Sequence, residues 1–144
     1  HLPLAYGLLF GMPGVPALYY GSEWGISGEK APCSDAGLRP ALEKPEWNAL
    51  TSWIARLAAA RRGSPALREG SYRNVLLTNL QLIFERRTET ERVLVAVNAD
   101  SQPYTAHFDA GCGLAWDLIS GQQHDFGGGS QLPPYSAFFW KMER

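Results

Sequence analysis

The feature that most constrains the fold is a change of hydrophobic period across residues 64–69. Before it, Trp47, Leu50, Ile54, Leu57 and Arg61 recur every three or four positions, with Trp53 and Ala58 widening the stripe. That spacing places side chains on one face of an α-helix. After it, Leu80, Leu82 and Phe84 alternate with Gln81 and Glu85, and Val93, Val95 and Val97 share one face, which is the two-residue period of a strand. Two periods in 144 residues predict two kinds of packing: a helical part over residues 1–66 and a β domain over 67–144.

Within the helical part, Pro45 suits a first helical residue, Glu46 a first turn, Arg61 and Arg62 a last turn, and Gly63 the position after it. Upstream, residues 4–10 are compact and apolar and stop at Gly11 and Pro13, as a short buried helix does. Residues 15–20 are β-branched and aromatic without polar alternation, which predicts a strand buried on both faces. A helix followed by such a strand is the half-unit of an α/β barrel. Residues 21–44 are rich in Gly, Pro and charge and predict a long loop, a length uncommon unless the loop has a function. Beyond Pro65, strand-like runs at 72–78, 80–86, 93–98, 104–108, 114–118 and 136–141 predict an antiparallel sandwich with Trp116 and Trp140 in its core. Gly127–Gly129 is a flexible turn, because no Lys-Ser/Thr pair and helix come after it as in a phosphate loop.

Composition excludes several classes of function. Thirteen basic against fourteen acidic residues leave a net charge of −1, so no global field favours nucleic acid or an anionic membrane. Residues 2–15 are too short and too interrupted to span a bilayer and lack the basic start of a signal peptide. Cys33 and Cys112, far apart, suit two reduced thiols in a cytoplasmic protein. His1, His107 and His124 lack metal-ligand spacing. His124, Asp125 and Ser130 are triad residue types, yet no nucleophile elbow accompanies them, and a solvated loop is expected there. The chain opens at His1 straight into apolar sequence, as a fragment of a longer protein would.

Residues 8–25, Leu-Leu-Phe-Gly-Met-Pro-Gly-Val-Pro-Ala-Leu-Tyr-Tyr-Gly-Ser-Glu-Trp-Gly, resemble the segment around the eighth barrel strand of the α-amylase superfamily. Asp35-Ala36-Gly37-Leu38-Arg39-Pro40 is similar to the stretch after that strand in many members. Residues 64–70, 93–98, 117–121 and 132–137 resemble, in order, the family's link into its C-terminal domain, a strand, a turn and the closing strand. The resemblance implies an α+β fragment: the last helix–strand–helix of a (β/α)8 barrel followed by an antiparallel β-sandwich. Within the superfamily, residues 19–28 look closest to the neopullulanase, cyclomaltodextrinase and maltodextrin-hydrolysing enzymes.

The resemblance also implies retaining chemistry on α-1,4-linked glucans, with some tolerance for α-1,6 links. Retention requires a nucleophilic and an acid/base carboxylate about 5–5.5 Å apart. The family's three catalytic motifs do not occur in this sequence. No catalytic residue is therefore assigned, and the chain alone is expected to be inactive. What remains is substrate contact. Asp35 and Arg39 would line the cleft and bond sugar hydroxyls, or else pair with each other and pin the loop. Glu23 would be a buried structural carboxylate or a substrate ligand. Trp24 and Tyr20 could stack on a sugar face, with core packing the other reading for Tyr20. The implied partners are an α-glucan oligosaccharide and the remainder of the barrel, with no nucleic acid and no membrane. No cofactor is implied, and calcium in the longer enzyme would find no visible site here. An alternative is a carbohydrate-binding β-sandwich without catalysis, which would need Tyr72, Tyr104, Trp116 and Tyr135 in an exposed line. A complete small enzyme using Glu23 and Asp35 would need those carboxylates in one cleft.

Overall fold

The computed structural model describes residues 1–42, 44–111 and 113–142. Cys33 is exposed and free among them, and the expectation for Cys112 lies outside the described residues. The helices are α1 (Leu2–Gly11), α2 (Ala49–Gly63) and α3 (Pro65–Glu69). The strands are β1 (Ser71–Leu77), β2 (Gln81–Arg87), β3 (Arg92–Asn98), β4 (Tyr104–Ala106), β5 (Leu114–Asp117), β6 (Gln123–Asp125), β7 (Ser130–Leu132) and β8 (Ser136–Met142). A six-stranded sheet runs in the order β1-β2-β3-β8-β5-β6, and β4 pairs with β7. Each of these pairings is antiparallel.

The centre of the large sheet, β2, β3 and β8, is buried on both faces, which the alternation in β2 does not announce. On one face Phe84, Val93, Val95 and Phe139 meet Tyr6 and Phe10 of α1, Ile54 and Leu57 of α2, and Leu67 of α3. On the other, Ile83, Leu94, Ala96 and Trp140 meet Ala106 and Leu132 of the small sheet and Ala115 of β5. The result is three layers: helices, large sheet, small sheet. This is why β3 reads as the continuous apolar run Val-Leu-Val-Ala-Val.

Glycine lets α1 come close to that sheet. A Cβ at Gly7 would lie 2.6 Å from the Cβ of Ala137 on β8, and one at Gly11 would lie 2.8 Å from Val95 on β3. The two positions are four residues apart, on one face of the helix. Beyond α1, the strand expected at 15–20 does not form. The segment has no regular secondary structure and no ladder partner among the described residues, it ends in a turn at Tyr20, and Val15 is 92% exposed. A parallel strand needs neighbours on its edges, and no other described segment of this chain lies beside this one in a sheet.

The α2 helix begins at Ala49 rather than Pro45. Asn48 is the N-cap, accepting from the Thr51 amide at 3.0 Å, and the Thr51 hydroxyl closes a reciprocal capping box. A side-chain cap satisfies an orphan amide that proline at 45 would not reach, so Glu46 and Trp47 stay outside the helix. Gly63 is its last residue. Ser64 caps both the end of α2 and the start of α3, a short helix where the sequence predicts only a link.

Trp140 is core, at 1% exposure, but Trp116 is 47% exposed and is not. The β5 alternation points Ala115 and Asp117 inward. Asp117 belongs there because its carboxylate is well used: it accepts from the Phe139 amide (2.9 Å), the Ser120 amide (3.0 Å) and the Ser120 hydroxyl (2.6 Å). Those bonds close the turn 117–121, where Gly121 takes a φ of +72°.

Candidate functional site

The loop at 21–42 begins at Gly21, whose φ of +83° favours glycine. A single 3-10 turn, Ser22–Trp24, comes next, and Gly25, with φ +75°, closes it by donating to the Ser22 carbonyl at 3.0 Å. The N-terminus of α2 holds this turn. Thr51 Oγ1 donates to the Glu23 carbonyl at 3.0 Å, and Asn48 Nδ2 donates to the Trp24 carbonyl at 3.0 Å. The residues that cap the helix therefore also fix the backbone of Glu23 and Trp24. Both side chains are half-buried. The Glu23 carboxylate makes no hydrogen bond or ion pair among the described residues, so its expected role as a hydrogen-bonded structural acid is not met; the bond it provides is through its main chain.

The far limb carries Asp35 and a second 3-10 turn, Ala36–Leu38. The two limbs touch backbone to backbone: a Cβ at Gly28 would lie 2.4 Å from the Gly37 carbonyl oxygen. Only glycine permits that approach. Asp35 is exposed and its carboxylate pairs with Lys30 at 3.6 Å, not with Arg39. An exposed pair of this kind contributes little to stability. Arg39 is exposed and acts electrostatically on Tyr20. Desolvation and the neighbouring Tyr19 hold the Tyr20 phenol above its ordinary range, with Arg39 opposing.

Tyr20 is 48% exposed and its ring lies 4.7 Å from that of Tyr19, so within this chain it does not pack into a core. The two tyrosines, with Ser22, Ile26, Gly37 and Leu38, line a cleft of about 180 Å³. The structure thus gathers Tyr20 and the base of the Arg39 turn on one side and leaves Glu23 and Trp24 against α2. Tyr19 is a lining residue that sequence reasoning does not single out; its signal is its place beside Tyr20 at the end of an apolar run. Aromatic faces and hydroxyls line the cleft, and the Arg39 charge acts on Tyr20 from outside that lining. The arrangement offers hydrogen bonding and stacking, and no paired carboxylates for bond cleavage.

Other groups singled out in the sequence do other things. The His124 ring is stacked on Trp140, 4.2 Å between centroids and 5° between planes, and Nε2 lies 2.9 Å from the Ser130 hydroxyl. This is packed structure rather than the solvated loop expected, because β6 and β7 bring both residues onto the core. Ser130 is 1% exposed and out of reach of a substrate. No group of three or more His, Cys, Asp or Glu placed to hold a metal ion occurs among the described residues. No helix among them is long and apolar enough to cross a membrane.

No family model matches the chain. Among curated proteins it is 32% identical over 131 residues to α-amylase MalA of Haloarcula japonica, covering 82% of this chain and 18% of that protein. It is 31% identical over 119 residues to the cyclomaltodextrin glucanotransferase of Bacillus sp. strain 38-2, covering 81% of this chain and 15% of that protein. Among solved structures, the α-amylase of Geobacillus thermoleovorans complexed with acarbose superposes with a TM-score of 0.86 at 20% identity, over 99% of this chain and 33% of that one. The chain spans less than a fifth of the length of these two curated relatives.

Proposed function

The chain belongs to the α-amylase family of glycosidases, as a C-terminal portion of such a protein, and from that premise we propose that the protein it forms part of cleaves or transfers α-1,4 glucosidic bonds with retention. Maltodextrins, cyclodextrins or pullulan are its substrates, α-1,6 links are tolerated, and it works in the cytoplasm as a neopullulanase or cyclomaltodextrinase type. Residues 1–66 are the end of the catalytic barrel and 67–144 its C-terminal domain. The catalytic carboxylates lie in the remainder of the barrel, which supplies the neighbours that residues 15–20 need to become a strand.

The observation that carries this reading is the 32% identity over 131 residues with an α-amylase. The exposed apolar side chains of Val15, Leu18, Tyr19 and Tyr20 support the barrel as partner. In this reading Asp35 and Arg39 bond sugar hydroxyls, Trp24 and Tyr20 offer faces to the pyranose, and Glu23 is a further substrate contact. The aromatic residues that a free-standing carbohydrate module would need do not form a line: Tyr72 sits on edge strand β1, Trp116 lies on β5 across three intervening strands, and Tyr104 packs into the core.

Reducing-end assays of this chain and the longer protein on maltotriose, cyclodextrin and pullulan test the reading. Activity in the longer protein only is the expected result. Turnover by this chain alone would overturn the placement of the catalytic carboxylates, and an inactive longer protein would overturn the substrate class.

A further inference from the structure

At strand β5 one face of the large sheet is open to solvent, and the larger side chains lie on it. The strand's small and acidic residues, Ala115 and Asp117, point inward, and its large apolar ones, Leu114 and Trp116, point outward at 37% and 47% exposure. About half of the Trp116 indole is open to solvent, where it can present a flat apolar face with a polar N–H at its edge. Trp116 stands directly across from Lys141 on β8 and from Gln123 on β6. It forms one wall of a cleft of about 550 Å³, within the roughly 300–1,000 Å³ range of small-molecule sites, between β5, β8 and the β2–β3 turn.

The chemistry of the other walls narrows the ligand. Lys141 is fixed by the Glu91 carboxylate at 2.8 Å, and Glu91 is itself anchored by the Ser64 hydroxyl (2.6 Å) and the Ala66 amide (2.9 Å). Arg92 is paired with Glu85, which lies nearly buried behind it. Arg87 and Glu89 add one charge of each sign, and Thr88 and Thr90 add hydroxyls. Charges matched in this way disfavour an anion, and polar walls disfavour an apolar guest. A neutral polyol with one C–H-rich face fits both the indole and its surroundings.

We propose that this cleft is a saccharide-binding site of the β domain, taking a short α-glucan segment with a sugar ring stacked on Trp116 and its hydroxyls bonded to Lys141 and the β2–β3 turn. The assignment of glucan rests on the function proposed above; the site itself rests on the cleft.

Titrating this chain with maltoheptaose, followed by calorimetry and by the indole N–H signals in NMR, tests it. The Trp116 signal should move with the titration. Trp116→Ala should lower affinity at least about tenfold, as loss of a central aromatic contact does, in a chain whose NMR spectrum remains that of the folded protein. Trp116→Phe should retain part of the affinity. No displacement of the Trp116 signal, or a Trp116→Ala chain that binds as wild type, overturns the proposal. Displacement of the Trp24 signal alone also overturns it while supporting the loop at 21–42. Failure of the substrate class would show separately, in the assays of the longer protein.

Discussion

Arg86, on β2, and Arg61, in the last turn of α2, converge on the C-terminal end of α1 from different layers of the molecule. Arg86 Nη1 donates to the Gly11 carbonyl at 2.8 Å and Nη2 to Gly70 at 2.9 Å. Arg61 Nη1 donates to Phe10 (2.7 Å) and Met12 (3.0 Å), and Nη2 to Gly14. Neither guanidinium pairs with a carboxylate among the described residues, although both are more than nine-tenths buried. Carbonyls at a helix C-terminus carry the negative end of its dipole and supply the compensation instead. Burial pulls both groups below the ordinary guanidinium range, and the charge of Arg61 adds to the effect at Arg86; both remain protonated.

Arg86→Met should therefore destabilise the chain by about 2–4 kcal/mol, since two charge-assisted hydrogen bonds are lost and two carbonyls lose those donors. Arg86 Nε has no partner among the described residues, so removing the cation also relieves one unsatisfied group, and the cost stays below that of a paired buried ion. Urea unfolding with an unchanged slope measures this. A midpoint equal to wild type would mean that the carbonyls are satisfied without the arginine.

Gly7→Ala should destabilise although alanine is the better helix former. The propensity gain is about 1 kcal/mol, but the new methyl would sit 2.6 Å from the Ala137 Cβ, and overpacking of a tight contact costs about 1–3 kcal/mol. Ala137→Gly in the same chain should recover part of the loss, which a double-mutant cycle reads as coupling between the two sites. A Gly7→Ala chain more stable than wild type would refute the close approach.

These close contacts mark the boundary of what the sequence conveys. The strands of the β domain are legible because alternation and turn residues are local signals; the observed β1, β2, β3, β5 and β8 lie within two residues of the expected runs. The short β6 and β7 are not, since three residues each hold no period and their pairing depends on partners brought from elsewhere. The run at 15–20 misleads because apolar content signals burial but cannot supply the neighbours that make a strand. Trp116 misleads for the related reason that period alone does not say which face of β5 is inward. At the candidate site, the loop and its glycines are visible, whereas the grip of Asn48 and Thr51 on Glu23 and Trp24 joins residues more than twenty positions apart.

Glu91 should set part of the acid limit of stability. Its burial pushes the carboxyl up, but Lys141, Ser64 and the Ala66 amide outweigh that and hold it below the ordinary carboxylate value of 4.5. A carboxylate depressed in the folded state adds stability that is complete above its unfolded pKa and is lost as pH falls through the folded value. Stability should thus decline as pH drops below about 4.5, and Glu91→Gln should flatten that decline while costing about 1–3 kcal/mol at neutral pH. Chemical unfolding at a series of pH values checks both parts. Parallel curves for the two chains would remove Glu91 from the acid limit.

His124 should act in a different window. Desolvation between Trp140 and Phe126 lowers its pKa, with the charges of Asp125 and Asp117 opposing. The unfolded chain therefore binds the proton more readily than the folded one, so stability is complete above the unfolded value of 6.5 and falls as pH drops from there through the folded value. His124→Phe keeps an aromatic ring on Trp140 but leaves the Ser130 hydroxyl, buried at 1% exposure, without its partner. That variant should be less stable at pH 8 by about 1–3 kcal/mol, the cost of an unsatisfied buried polar group. It should also lack the decline below pH 6.5, so the gap to wild type narrows as the solution is acidified. A gap constant from about pH 8 to about pH 5 would show that the ring is as free to protonate in the folded chain as in the unfolded one, and that the stacked geometry does not exclude the imidazolium.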